Sequence, residues 1–183
     1  KTRVIFSSSA AAYGNPIMTP VQEVDPAEPI SPYGESKLMV ERVLESYHRA
    51  YKLNYVAFRY FNACGADPRG RHGQTVGATH IMARIMESVK NNTQFVCNGN
   101  AFETADGTCV RDYVHVDDIA SAHIIALGST DVQCGVYNLG TARGASNLEV
   151  VTAAEKATGQ VINVEFGPER TGDPAILTAD AGK

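Results

Sequence analysis

Residues 4–14 read VIFSSSAAAYG and residues 31–37 read SPYGESK, and these two stretches together decide the fold. Val4 to Phe6 is a short apolar run of the kind that forms a buried strand, and ligands of open α/β sheets bind beyond strand ends. The serine run that follows therefore falls where a ligand is expected. In the second stretch Ser31 is a candidate N-cap and Pro32 fits the first helical position, which puts Tyr33 in the first turn beside the positive end of the helix dipole. Residues four apart share a helix face, so Tyr33 and Lys37 read as one unit, in which the ammonium favours the charged form of the phenol. The same spacing also suits a packed tyrosine ring and a solvated lysine; the serine run at the strand end favours the acid/base reading, and the chain reads as an enzyme.

Composition narrows the class. The chain has 183 residues, 44% hydrophobic and 20% charged, enough for one substantial core in an ordinary soluble globular sequence. No apolar run approaches the roughly 20 residues of a spanning helix, and KTRVIFSSS lacks a signal-peptide pattern. A formal net charge of -4 without a basic cluster argues against nucleic acid or an anionic membrane as the main partner and favours a small molecule. Cys64, Cys97, Cys109 and Cys134 stand singly, which reads as reduced, structural thiols and a cytoplasmic setting; with the histidines equally dispersed, no metal is expected. The opening on a strand-like segment and the ending at DAGK suggest a fragment.

Along the chain, the prolines at 16, 20, 26 and 29 make 15–30 an irregular loop. A helix is expected from Pro32 to about Ala50, with Val40, Val43, Leu44, Tyr47 and Tyr51 marking its buried face. Tyr55 to Tyr60 reads as a strand, and 62–77 as a Gly-rich loop. Then follow a helix from Ile81 to Lys90, a short strand from Phe95 to Cys97 with a turn at Asn98 to Asn100, and a helix from Asp118 to Leu127 capped by Asp117 or Asp118. Val136 to Leu139 is a strand, and Ser146 with Glu149 forms a capping box opening a helix that Gly159 closes. Strand and helix alternate, so the expected class is α/β.

The blocks FSSSAAAYG, SPYGESKLMVE, FRYFNACGADP, DGTCVRDYVHVDDIASAH, YNLGT and ERTGD, in this order, resemble the UDP-glucose 4-epimerases (UDP-galactose 4-epimerases) of the extended short-chain dehydrogenase/reductase superfamily. The resemblance implies a Rossmann-like domain, built on a doubly wound parallel sheet and carrying NAD, and a smaller α/β domain that holds a UDP-sugar. It implies that Tyr33 takes the proton of the sugar 4-hydroxyl while hydride passes to NAD, giving a 4-keto sugar that turns over and receives hydride on its other face. By motif position Lys37 tunes Tyr33 and holds the nicotinamide ribose, Ser9 bonds the reacting oxygen, and Ser7 and Phe61 line the cofactor. Asn62, Arg111, Arg170 and Asp173 fall at substrate positions, where an arginine fork suits a diphosphate. From the residues alone, Asn62 also fits a turn former, and Arg111 a surface ion pair with Asp112. A homodimer through the helix of Tyr33 and Lys37 is implied as well.

The resemblance also assigns parts: 1–61 as the C-terminal half of the dinucleotide-binding domain, 62–112 mostly substrate domain, 113–160 partly returning to the first domain, and 161–183 opening the C-terminal substrate segment. The family's Gly-rich fingerprint and the rest of the substrate domain are expected outside this chain, and the chain alone is expected to be inactive. Serine and alanine stand where 4,6-dehydratases carry an Asp-Glu pair, which disfavours dehydration. Thr79, His80 and Ile81 replace a frequent Asn-Asn-Leu, Asn98 an aromatic, and Leu177 a tyrosine of some members, the last suggesting room for an N-acetylated sugar. Open alternatives are an epimerase or decarboxylase acting on a UDP-pentose, UDP-uronate or UDP-N-acetylhexosamine, and a truncated noncatalytic UDP-sugar-binding relic.

Overall fold

The structure is a computed structural model that describes residues 2–75 and 77–183; Lys1, and Val76 within the loop expected over 62–77, lie outside the described residues. Strand β1 (Arg3–Ser9), a 3-10 turn (Ala10–Tyr13), helix α1 (Pro32–Tyr51) and strand β2 (Asn54–Tyr60) make one strand–helix–strand unit. β1 and β2 run parallel, from Arg3 opposite Asn54 to Ser9 opposite Tyr60. After a long excursion the chain returns as β6 (Gly135–Leu139), parallel to β2 on its other side, giving the order β1-β2-β6.

Alternation of side chains along these strands sorts their apolar residues onto two faces. Val4, Phe6, Tyr55, Ala57 and Val136 pack with Leu44 of α1 on one face. Ile5, Val56, Phe58 and Tyr137 pack with Ala122 and Ala126 of α3 (Val116–Gly128) on the other. A helix on each face of a parallel sheet is the doubly wound arrangement expected from the sequence.

Two expectations about this unit are corrected. β1 does not end at Phe6 but runs through the serines, because Ser7, Ser8 and Ser9 continue the ladder opposite Phe58, Arg59 and Tyr60. In α1 the buried residues are Gly34, Leu38, Glu41 and Leu44, whereas Val40, Val43, Tyr47 and Tyr51 are exposed. Of the residues whose period predicted the buried face, Leu44 alone is inside. The inward face is set by what β1 and β2 present to it, and that includes a buried arginine.

A second core gathers α2 (Ile81–Asn91), β4 (Phe95–Asn98), α4 (Asn147–Thr158) and β8 (Val164–Gly167) around Ile85, Phe95, Cys97, Val150, Val151 and Ile162. Beside it β5 (Val110–His115) pairs with β3 (Asn62–Cys64) and β9 (Ile176–Leu177) in parallel and with β7 (Gly144–Ser146) antiparallel. α4 opens on the expected capping box of Ser146 and Glu149 and ends at Gly159 with φ 70. α3 is capped differently from expectation: the His115 ring accepts from the Asp117 amide at 3.1 Å, and Asp117 and Asp118 sit in the first turn. Among the described residues no helix is long and apolar enough to cross a membrane.

Candidate active site

The start of α1 follows from its sequence. The Ser31 hydroxyl accepts from the Gly34 amide at 3.1 Å, Pro32 needs no amide partner in the first turn, and Tyr33 follows with 56% of its surface exposed. Gly34 lets the helix approach the 3-10 turn closely, since a Cβ there would stand 2.3 Å from the Ala11 carbonyl oxygen. One turn on, Lys37 Nζ donates to the Ser7 carbonyl at 2.9 Å and lies 5.2 Å from the Phe6 ring centre and 5.5 Å from that of Tyr33. The ammonium is thereby tied to the strand end and held beside the phenol.

Ser9 caps the 3-10 turn by accepting from the Ala11 amide at 3.1 Å. Its oxygen is engaged as an acceptor, which leaves its proton free to be donated. The Ser7 hydroxyl meets Tyr60 Oη at 2.7 Å, and Tyr60 Oη meets His123 Nε2 at 2.8 Å. Burial pushes the Tyr60 phenol up, although the Ser7 hydrogen bond opposes this, so it remains a neutral donor and acceptor. Phe61 is buried against Tyr13, ring centres 6.5 Å apart, and belongs to the core behind the strand ends. The exposed Tyr33 phenol, the anchored Lys37 and the exposed Ser7 thus lie together at the carboxyl end of β1, where ligands of open α/β sheets bind.

A second cluster forms where β5 meets the segment before β9. Arg111, 9% exposed, donates to the Val110 carbonyl at 2.9 Å and stands 3.8 Å from the Asp173 carboxylate. With the Asn98 amide turned so that its oxygen faces the guanidinium, the orientation these donors require, Arg170 donates to it from Nε at 2.8 Å and from Nη2 at 3.2 Å. The Asp173 amide closes a turn on the Arg170 carbonyl at 3.2 Å. Arg111 thus stands beside Asp173, and Arg170 is joined to Asp173 through the backbone turn while its side chain turns to Asn98. Asn62 is linked to them through β3, where it lies opposite Tyr113 of β5.

Arg111 does not pair with Asp112, which corrects that alternative. The Asp112 side chain is fully buried and accepts from the Thr141 amide and hydroxyl at 2.7 and 2.8 Å, the Ala142 amide at 3.0 Å and the Ala179 amide at 3.1 Å. It is a structural hub, which leaves Asp173 as the carboxylate beside Arg111. Arg84, not singled out from sequence, lines a cavity of about 480 Å³ with Asn98 and Arg170. A larger cleft of about 1180 Å³ lies between the loop after β3 and α2, and of the expected site residues it is lined by Asn62 alone.

Sequence reasoning also passed over Glu41 and Arg59, both buried behind Tyr33 and Lys37. The signal was available, since Glu41 follows Lys37 by one helical turn on the same face. The four cysteines are free, and burial pushes the thiols of Cys64, Cys97 and Cys109 up, away from reactive thiolates. Among the described residues no group of three His, Cys, Asp or Glu side chains forms a metal site.

Comparison with known proteins places the chain in a family. Residues 1–140 match the model of the NAD dependent epimerase/dehydratase family. The UDP-glucose 4-epimerase of Lacticaseibacillus casei is 45% identical over 99% of this chain and 56% of its own length. The structure of UDP-glucose 4-epimerase from Brucella ovis in complex with NAD superposes with a TM-score of 0.89 at 43% identity, covering 99% of this chain and 57% of that one. That of the enzyme from Stenotrophomonas maltophila with bound NAD and formylated UDP-arabinopyranose does so with 0.91 at 35% identity, covering 99% and 56%. The chain spans about half the length of the curated relatives it matches.

Proposed function

This chain belongs to the NAD dependent epimerase/dehydratase family, and on that premise we propose that the protein containing it interconverts UDP-glucose and UDP-galactose through a 4-keto sugar, with Tyr33 as base. The observation that carries this reading is the exposed Tyr33 phenol beside a Lys37 ammonium that is itself fixed to the strand end through the Ser7 carbonyl. A general base must reach its proton at hydrogen-bond distance, and a donor such as the Ser9 hydroxyl steadies the same oxygen. Tyr33 takes the proton of the 4-hydroxyl and gives it back after the sugar has turned, while Lys37 steadies the phenolate and the ribose of the cofactor. NAD, when bound, supplies acceptance and return of the hydride. Ser7, Tyr33 and Lys37 would hold its nicotinamide end, backed by the buried Phe61 ring.

Arg111 and Arg170 would bind the diphosphate, with Asn62 and Asp173 orienting the rest of the UDP-sugar; the loose Arg111–Asp173 contact supports this, since the guanidinium retains donors for phosphate oxygens. The exposed stripe Val40, Val43, Tyr47 and Tyr51 on α1 supports a homodimer of the complete protein, and free, scattered cysteines suit a cytoplasmic enzyme. A second reading, turnover of an N-acetylated sugar, rests on Leu177 standing where some members carry a tyrosine; Leu177 is itself buried in the core cluster with Phe61 and lines neither cavity.

The test is an assay of the complete protein on UDP-galactose, alongside Tyr33→Phe. Loss of about 10²–10⁴-fold in kcat with UDP binding retained is expected, the usual contribution of a positioned base. An unchanged rate removes Tyr33 from the mechanism. Turnover of the N-acetyl sugar at a comparable rate would establish the second reading, and its complete exclusion would end it.

A further inference from the structure

Behind the tyrosine and lysine lies a buried charge pair that the proposed chemistry does not use. Glu41 and Arg59 are each 4% exposed, and the guanidinium meets the carboxylate in a two-point fork, Nε to Oε1 at 3.0 Å and Nη2 to Oε2 at 2.6 Å. The Ser8 hydroxyl, 1% exposed, donates to the same Oε1 at 2.5 Å. On its other side the Arg59 guanidinium lies 4.4 Å from the centre of the Tyr13 ring, the last residue of the 3-10 turn that Ser9 caps. Tyr13 is in turn fixed by donating to the Asn138 amide oxygen at 2.7 Å.

Position is what makes this cluster more than a core contact. Tyr33, Lys37 and Glu41 follow one another at single-turn intervals along α1, and each turn of that face meets the next feature of the strand end. Gly34 lies against Ala11, Lys37 bonds the Ser7 carbonyl, and Glu41 bonds the Ser8 hydroxyl. Ser8 sits between the two serines assigned to cofactor and substrate. A hydrogen-bonded fork fixes rotation and register, which an apolar contact of the same size does not.

We propose that Glu41 and Arg59 are positioning residues: their fork, through Ser8 and Tyr13, sets the register of α1 against the strand end and so places Tyr33 and Lys37 opposite Ser9. This rests on the assignment of Tyr33 as base. A pair retained only for stability would be replaceable by apolar residues of similar volume, a change that is often neutral or stabilising in buried ion pairs.

The experiment is therefore Glu41→Leu with Arg59→Met in the complete protein. Global thermal stability should stay within about 2 °C of the parent. Amide exchange in residues 31–37 and 7–13 should nonetheless accelerate. The rate constant for single-turnover reduction of the bound nicotinamide should fall by about tenfold to a hundredfold while UDP affinity is kept, the scale expected of misplaced reacting groups. Because it is a rate constant and not an amplitude, a partly unfolded sample does not imitate it. Parent-like exchange and rate in the double variant overturn the proposal, leaving the pair a stabilising contact. If the double variant does not fold, Ser8→Ala carries the same test, because it removes the tie to the strand and keeps the ion pair; parent-like exchange and rate there also overturn it. Tyr33→Phe separates the two levels: if that variant keeps the parent rate, the base assignment fails, whereas an inactive Tyr33→Phe with a fully active double variant sinks the positioning role alone.

Discussion

The two faces of α1 reverse the usual order of burial. The face turned to the sheet carries Gly34, Lys37, Leu38, Glu41 and Leu44, a glycine and two charges among five residues, while the face turned outward carries Val40, Val43, Tyr47 and Tyr51. A carboxylate is buried because Arg59 and Ser8 reach it from the adjacent strands, so the cost of removing it from water is met by a fork and a third hydrogen bond. Burial pulls the Arg59 guanidinium down, but the Glu41 hydrogen bonds and charge, with the contact to Tyr13, outweigh it and hold Arg59 above its ordinary value. Hydrophobic period therefore shows that residues 32–51 form a helix without showing which side faces in.

The contrast can be broken most severely from the inside. Glu41→Leu alone leaves the Arg59 cation buried without a partner, and chemical denaturation should show a loss of about 3–5 kcal/mol. Recovery on adding Arg59→Met would identify the unpaired charge, not the lost volume, as the cause. A smaller loss, about 1–3 kcal/mol, is expected for Gly34→Ala, whose new Cβ is driven toward the Ala11 carbonyl oxygen and must displace helix or turn. An unperturbed melting temperature there would mean that the close approach is unnecessary. The outward face should respond least in stability. Val43→Lys with Tyr47→Lys should change monomer stability by no more than about 0.5 kcal/mol, as for other exposed positions, while sedimentation of the complete protein shifts from the proposed dimer to monomer. Loss of folded monomer would show that this face is packed in a way the fold of a single chain does not require.

Much of the local structure was legible because it is written in neighbouring residues. Ser31 and Pro32 start α1, Ser146 with Glu149 starts α4, and Gly159 ends it in the left-handed region, each through bonds spanning a few residues. The strands β3, β5, β7 and β9 were not legible. They are short or polar, and their pairing joins residues as distant as Val110 and Ile176, so no local period marks them. The cap of α3 was misassigned for a related reason: Asp117 and Asp118 are good capping residues, but β5 runs to His115 and delivers the imidazole to the capping position first. Asp112 looked like a partner for Arg111, yet side chains alternate along a strand, and the carboxylate points instead into a ring of amides from residues 141, 142 and 179.

Sequence alone determined the alternation of strand and helix, the start of α1 and the one-turn spacing of Tyr33 and Lys37, because these depend on backbone geometry within one element. Tertiary structure alone decided that Lys37 hangs from the Ser7 carbonyl, that Arg111 stands beside Asp173, and that Glu41 is buried against Arg59 and Ser8. Those contacts join separate elements, and a charge or hydroxyl is oriented only when a distant strand supplies the complementary group.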